Sequence, residues 1–233
     1  MFKKKTKNIT FHSVSPSLDL PRPISASRLM PQWYRKMKRV KNGGMSVKTC
    51  VPFLDALTSG YILTLPVDMA WDHDAGHFLT QAKMSLNEDH YPDQISDMPL
   101  PDRLDPRPHK WMNQWHIKTP PGYSTLFIHP LNRPDLPFYT LSGVVDTDKH
   151  PLVVNFPFLL ERSFRGVIPA GTPIVQAIPF KRDDWLATYK DTGKGYYYPK
   201  EHEGLNPPFS HYKRNWWTKK IYSQEPDKGE RSS

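Results

Sequence analysis

Short apolar runs separated by turn residues dominate the middle of this 233-residue chain. From Tyr61 to Phe180 the runs are rich in aromatic and β-branched residues, with Gly, Pro, Asn and Asp between them. This pattern is typical of strands, and it predicts a predominantly antiparallel β-structure. The expected strands are 61–71, 77–86, 111–118, 123–130 and a further series that ends at Phe180, whereas 90–108 is predicted as a loop.

Helical spacing is confined to other parts of the chain. After Pro31, apolar residues recur near helical spacing, and Asn42-Gly43-Gly44 is expected to end this first helix. A second helix is predicted from near Pro52 to a stop at Gly60. Brief helical propensity returns at 183–189, and 193–208 is expected to be irregular.

The composition divides the chain into four parts. Residues 1–28 are polar and contain prolines, which predicts a basic extended arm, and 29–60 forms a short helical segment. Residues 61–190 are the expected β-rich core domain, and 191–233 an irregular basic-aromatic C-terminal arm. The predicted fold class is therefore mainly β, with a β-sandwich body, one or two short N-terminal helices and extended N- and C-terminal arms.

Proline content and hydropathy exclude several classes of protein. The chain has 25 Pro and 12 Gly, and so many prolines are incompatible with mostly long helices. No apolar run reaches the roughly 18 residues of a membrane-spanning helix, and the basic N-terminus lacks the apolar core of a signal peptide. We expect no membrane partner and no secretion. Cys50 is the single cysteine, so an internal disulfide is excluded.

Positive charge is concentrated at the N-terminus. Residues 1–48 hold twelve Lys or Arg and one acidic residue, Asp19, so this segment carries +11 and the rest of the chain −2. One interpretation is contact with nucleic acid or an acidic partner, and the other is a solvated basic surface. The candidate binding residues here are Lys3, Lys4, Lys5, Lys7, Arg35, Lys36, Lys38 and Arg39.

A second basic segment, 211–222, interleaves aromatic rings and cations. This arrangement is typical of surfaces on which single-stranded nucleic acids stack. The alternative is that the aromatic rings dock on the protein's own domain or on a neighbouring subunit. The candidate binding residues are Lys213, Arg214, Trp216 and Trp217.

Two acidic residues, Asp146 and Asp148, follow a predicted strand at a turn. Side chains at strand ends often carry function, and carboxylates at turns also accept backbone N–H bonds. A cluster of Asp72, His73 and Asp74 with His77 and His116 offers metal-ligand chemistry, but a turn of this composition is more typical of a solvated loop. We therefore expect no metal site.

The Asp146 segment resembles the dUTPase and dCTP deaminase superfamily. Gly143, Val145, Asp146 and Asp148 are similar to its third motif, and Gly171, Ile174 and Gln176 to its fourth. The resemblance implies a β-clip body, with Asp146 as general base for water, Gln176 in the strand that lines the pocket and Mg²⁺ as cofactor. Where the family has Tyr-Arg-Gly, this chain has Lys149-His150-Pro151, and no Gly-Arg-Ser-Gly phosphate loop precedes the motif.

The order of three further motifs resembles an uncharacterised family of tailed phages and bacteria. These motifs are Met30-Pro-Gln-Trp-Tyr34, the segment 48–61 and the segment 115–124. The resemblance implies a phage-like setting but supplies no activity. In that setting, the β-rich body and the extended basic and aromatic termini favour a non-enzymatic assembly protein of a phage-like particle, which requires no cofactor. Its expected partners are copies of itself, other virion proteins or nucleic acid, and its expected location is the virion or host cytoplasm. The alternative is a dUTPase-like protein that binds or hydrolyses nucleotides.

Overall fold

The computed structural model of the chain describes residues 6–42, 44–80, 86–89, 92–190 and 210–225. Strand accounts for 34% of the structure and helix for 13%, so the prediction of a mainly β fold is confirmed. The helices are α1 (Gln32–Lys36), α2 (Val51–Thr58) and α3 (Ser210–Asn215). The strands are β1 (Thr10–Ser13), β2 (Ile24–Ser25), β3 (Val40–Lys41), β4 (Gly44–Met45), β5 (Tyr61–Thr64), β6 (Met69–Asp72), β7 (His77–Leu79), β8 (Asn87–Asp89), β9 (Leu104–Trp111), β10 (Trp115–Lys118), β11 (Tyr123–Ile128), β12 (Phe138–Thr140), β13 (Gly143–Val145), β14 (Phe156–Glu161), β15 (Gly166–Ile168) and β16 (Pro173–Lys181).

The strands pair antiparallel in several sheets. The largest has the order β13-β11-β16-β5-β2, and a second has the order β12-β14-β9-β8. A three-stranded sheet has the order β15-β6-β7, and β1-β10 and β3-β4 are two-stranded. The prediction of antiparallel pairing between Tyr61 and Phe180 is confirmed.

One aromatic core joins the three larger sheets. Trp111 stacks on Phe158 with ring centroids 3.6 Å apart and planes at 3°, and Phe138 meets Trp111 edge-on. Phe127 and Val175 bring the five-stranded sheet into the same cluster. Because all five side chains are almost fully buried, this core supplies most of the hydrophobic stabilisation of the body.

The first predicted helix is shorter than expected. α1 ends at Lys36, and Val40–Lys41 pairs with Gly44–Met45 as a separate hairpin. Asn42 has φ 51°, a left-handed conformation that suits the turn of a tight hairpin. The prediction that Lys38, Arg39 and Val40 lie on a helix is therefore wrong, because the chain turns at Asn42 and pairs β3 with β4.

The second helix follows the prediction. α2 spans Val51–Thr58, and Gly60 has φ 70°, as its role in helix termination requires. The carbonyl of Gly60 accepts a hydrogen bond from the Ala26 N–H at 3.0 Å. The glycine therefore also joins the end of α2 to the segment that carries β2.

Three strand predictions need correction. The hairpin of β6 and β7 is confirmed, but 61–71 is divided between β5 and β6, which belong to different sheets. The predicted strand 111–118 is likewise divided between the end of β9 and β10. β9 occupies part of the predicted 90–108 loop although it contains Pro106 and Pro108. β8 pairs only with His109 to Trp111, so neither proline interrupts the β8 pairing.

The C-terminal region differs from the prediction at two places. Residues 183–189 contain no helix, and α3 lies within the arm that was expected to be irregular. The segment 193–208 lies outside the described residues. None of the helices in the described ranges is long and apolar enough to cross a membrane.

Substitution of Gly60 tests how closely the backbone at the end of α2 approaches β16. A Cβ atom at this position would lie 2.2 Å from the carbonyl oxygen of Ala177, in addition to the strain of its positive φ. Gly171 also has a positive φ, 78°, but its Cβ would meet nothing within 4 Å. We expect Gly171→Ala to lower the free energy of unfolding by about 1–2 kcal/mol, and Gly60→Ala to lower it further because backbone must move.

Urea unfolding of the two variants measures this difference. The m-value should stay constant, so that changes in the midpoint report stability alone. Equal losses for the two substitutions would show that the Ala177 carbonyl does not constrain Gly60.

Candidate functional site

The Asp146–Asp148 turn directly follows β13, and its central residue faces the protein interior. The Thr147 hydroxyl lies 2.7 Å from that of Thr119 and 2.8 Å from that of Thr125, and all three side chains are buried. These hydrogen-bonded hydroxyls hold the Thr147 side chain in the protein interior. Asp146 and Asp148 therefore turn to the other side, where one guanidinium, that of Arg182, contacts them both.

Both oxygens of the Asp148 carboxylate accept hydrogen bonds from the protein. Two guanidinium nitrogens of Arg182 donate to its two oxygens at 2.8 and 2.5 Å, and the Gly122 N–H donates at 2.8 Å. Only 5% of the Asp148 side chain is exposed. The hydrogen bonds from Arg182, followed by that from Gly122, hold the pKa of the Asp148 carboxyl well below its usual range. Asp148 is thus an anion at neutral pH and a weak base.

Asp146 shares the same cation but is more open to solvent. Its Oδ1 accepts a hydrogen bond from the Ser124 hydroxyl at 2.6 Å and lies 3.2 Å from the Arg182 guanidinium. About half of the side chain, 51%, is exposed. One oxygen of the carboxylate already has two partners, so this geometry positions Asp146 as part of an ion-pair network.

Gln176 lies away from the acidic turn. It is 1% exposed, its Oε1 accepts the Leu131 N–H at 2.8 Å, and its amide donates to the carbonyls of Ala56 and Ser59. Gln176 pairs with Ile128 at one end of β11, whereas the Asp146 carboxylate bonds Ser124 four positions away. This spacing corresponds to roughly 13 Å along the strand. The structure therefore does not bring together the residues that the dUTPase resemblance places around one pocket.

The basic residues of the N-terminal part lie on the surface. Lys36, Lys38 and Arg39 are exposed at the end of α1 and the start of the hairpin, and none forms an ion pair with a residue that the structure describes. Arg35 donates to the Arg28 carbonyl, and Lys7 lies 5.7 Å from the centre of the Tyr123 ring. Lys3, Lys4 and Lys5 lie outside the described residues.

The C-terminal segment docks on its own domain. The indole N–H of Trp217 donates to Asp55 at 2.9 Å, and Lys220 forms an ion pair with the same carboxylate at 2.6 Å. Tyr222 packs edge-on against Tyr61, whose hydroxyl donates to the carbonyl of Ser223. The prediction that these aromatic residues dock on the domain is confirmed for Trp217.

The other candidates of this segment face solvent. Trp216 is 61% exposed, and Arg214 is exposed as well. Lys213 is exposed and places its ammonium 5.8 Å from the centre of the Trp217 ring, within reach of a cation–π contact. Only part of the segment is therefore available to a partner.

The proposed metal ligands do not assemble. Within the described ranges, no three His, Cys, Asp or Glu side chains come close enough to hold a metal ion. His73 instead faces its neighbour Asp74 at 3.7 Å, and the His116 ring lies 3.2 Å from the His150 carbonyl.

Sequence reasoning missed two residues that organise these surfaces, Arg182 and Asp55. Arg182 follows β16, and only the strand register shows that it reaches the turn after β13. Asp55 lies on α2, 162 residues before its partner Trp217. Neither contact has a local sequence signal.

Asp148→Asn tests the ion pair. Because the folded-state pKa lies below the unfolded value of about 4, the carboxylate stabilises the fold above that pH, and this stabilisation is lost as pH falls through the folded pKa. We expect the variant to melt several degrees lower at pH 7 and to lose less stability than wild type on acidification. Thermal melts between pH 7 and pH 2 measure both effects.

The exposed Asp97→Asn provides the control, because surface substitutions change stability little. Wild-type melting behaviour of Asp148→Asn at pH 7 would contradict a stabilising role of the pair with Arg182.

Searches of protein-family models, curated proteins and solved structures found no match to this chain. The chemistry of the acidic turn and of the basic surface therefore rests on their own geometry.

Proposed function

We propose that this protein is a non-enzymatic assembly protein of a phage-like particle, which binds neighbouring subunits through its β-rich body and its basic surface. The observation that carries the proposal is the exposed cluster of Lys36, Lys38, Arg39 and Lys41, which has no ion-pair partner in the described part of the chain. The phage setting comes from the motif order in 30–34, 48–61 and 115–124.

The spacing of these cations favours an acidic partner. Four positive charges lie within six residues, so each raises the potential at its neighbours. The acidic residues Asp55, Asp146 and Asp148 already have cationic partners elsewhere. An acidic partner, either another subunit or nucleic acid, would supply the opposite charge to this exposed cluster.

The β-rich body offers a second surface for contacts with other subunits, the edge of its five-stranded sheet. β13 ends the five-stranded sheet, and its central residue, Val144, is 61% exposed. An edge strand presents unpaired backbone groups, which an extended segment of another chain can pair with. Such an edge suits a protein that builds contacts between subunits.

The carboxylate geometry supports a structural role over hydrolysis. A general base needs a proton affinity near the working pH and access to a water molecule. Oδ1 of Asp146, the residue that the resemblance implies as general base, is already bound by Ser124 and Arg182. Arg182 and Gly122 bind Asp148, and the Gln176 amide bonds backbone groups of the α2 region and of Leu131. These residues stabilise the fold at two separate places.

Charge neutralisation tests the assembly proposal. Association of wild-type protein should weaken steeply from low to physiological salt, because screening and counterion release both act on these contacts. We expect the triple variant Lys36→Gln, Lys38→Gln and Arg39→Gln to associate weakly even at low salt and to melt close to wild type. Sedimentation velocity and thermal melting measure the two properties.

A matched variant separates local charge from net charge. Lys118→Gln, Arg162→Gln and Arg165→Gln remove three exposed cations from the body, and this change should leave the salt-dependent association intact. Wild-type association that does not respond to salt or to the first triple variant would contradict a role of the basic surface.

Nucleotide turnover tests the alternative function. Purified protein, with Mg²⁺ present, should neither hydrolyse dUTP nor deaminate dCTP at enzyme-like rates, because the acidic turn is engaged by Arg182. Product analysis of a nucleotide panel measures this. Turnover that Asp146→Asn abolishes and Asp97→Asn preserves would establish the hydrolase instead.

A further inference from the structure

The segment 183–190 presents large apolar side chains to solvent. Every residue in it is exposed, and Trp185, Leu186 and Tyr189 are 90%, 88% and 94% exposed. The segment follows β16 without forming a helix or a strand. Contiguous exposed apolar residues of this size mark interaction sites, because their hydration is unfavourable.

A second unpartnered surface of the same chain combines apolar and basic side chains. We define the basic hairpin as residues 38–42 and 44–47, which contain β3 and β4. Val40, Met45 and Val47 are 53%, 44% and 43% exposed, and Lys38, Arg39 and Lys41 are exposed beside them. In the described part of the chain, β3 and β4 pair only with each other, so their outer edges are open.

The two surfaces complement each other in charge. The segment begins with two carboxylates, Asp183 and Asp184, and Asp183 also pairs with Lys181. Arg182 directs its charge to Asp146 and Asp148 and therefore does not neutralise Asp184. The single cation of the segment, Lys190, lies at its opposite end. An acidic and apolar end thus faces solvent on a molecule that also carries a basic and apolar hairpin.

We infer that the 183–190 segment of one copy binds the basic hairpin of a second copy. This inference rests on the proposed assembly function and names its contact. Both surfaces are exposed on the same molecule, so the segment does not cover its own hairpin, and a second copy provides both the apolar cover and the opposite charge. An irregular segment can also add to the open edge of β3 or β4 through backbone hydrogen bonds.

The contact uses two different surfaces, so each copy keeps one of each after a pair has formed. Such heterologous contacts continue into rings or open arrays instead of stopping at a dimer. This property fits a protein that contributes many copies to a particle.

Variants of each surface test the contact in the full-length protein. We expect Trp185→Ala to weaken self-association about tenfold or more, as truncation of a central aromatic anchor does. Asp184→Lys should also weaken it, and so should the double variant Lys38→Glu and Lys41→Glu. Combining the three charge reversals in one chain should restore part of the association. Sedimentation velocity over a concentration series gives the apparent Kd.

A mixing experiment identifies the head-to-tail geometry. At a protein concentration where Trp185→Ala and the Lys38→Glu and Lys41→Glu variant each associate weakly alone, an equimolar mixture should form a dimer that stops at two chains. In that dimer the intact segment of one variant meets the intact hairpin of the other. Leu152→Ala and Asp97→Lys, which alter an exposed apolar and an exposed acidic residue elsewhere, should associate like wild type.

The outcomes separate this inference from the assembly function. Wild-type association that none of the segment variants changes would overturn the inference and leave the assembly function standing. A wild-type protein that stays monomeric at low salt and high concentration would overturn both. Binding of a single-stranded DNA oligonucleotide that the hairpin variant loses, while self-association persists in that variant, would assign the hairpin to nucleic acid and overturn the inference.

Discussion

The five-stranded sheet depends on the buried backbone and side chains of β16. This strand pairs with β11 on one side and β5 on the other, and Val175 and Ala177 are fully buried. Gln176 connects it to the end of α2, and the Ala177 carbonyl lies so close to Gly60 that only a glycine fits there. Because buried polar groups need partners, the amide of Gln176 fixes how helix and sheet meet. Arg182, one residue after the strand, then holds the acidic turn.

The acidic turn carries a motif that resembles that of a family, and an arginine binds both of its carboxylates. A carboxylate pair two residues apart is equally suited to activate water or to receive a guanidinium, and the residue across the turn decides between them. Here that residue is Arg182, which contacts both Asp146 and Asp148. The charge of the turn is balanced by Arg182, whereas the cations of the basic hairpin form no ion pair with any residue that the structure describes. Of the two charged surfaces, the basic hairpin is therefore the one whose charge favours contact with another molecule.

Local patterns predicted the mainly β fold, α2 and the β6–β7 hairpin, because turn residues and apolar runs encode them directly. The Asn42-Gly43 signal for the β3–β4 hairpin was present too, but the helical spacing of Trp33 and Met37 outweighed it in the prediction. β9 was missed since Pro106 and Pro108 argue against a strand. They are tolerated because β8 pairs only beyond them and because the pairing with β14 shifts register after Leu159. The Arg182 and Asp55 contacts join distant parts of the chain, which no local pattern encodes.

The strand order has a consequence for how the chain reaches its native state. β5 cannot pair with β16 until more than a hundred further residues have been synthesised, and the Ser25 N–H bonds a Gln224 side chain 199 residues away. Such high contact order slows folding, because the chain loses the entropy of closing long loops before strand pairing stabilises it. During translation the edge of β5 that later pairs with β16 remains unpaired, and other nascent chains can pair with it. The five-stranded sheet can therefore be completed only after β16, its central strand, has been synthesised.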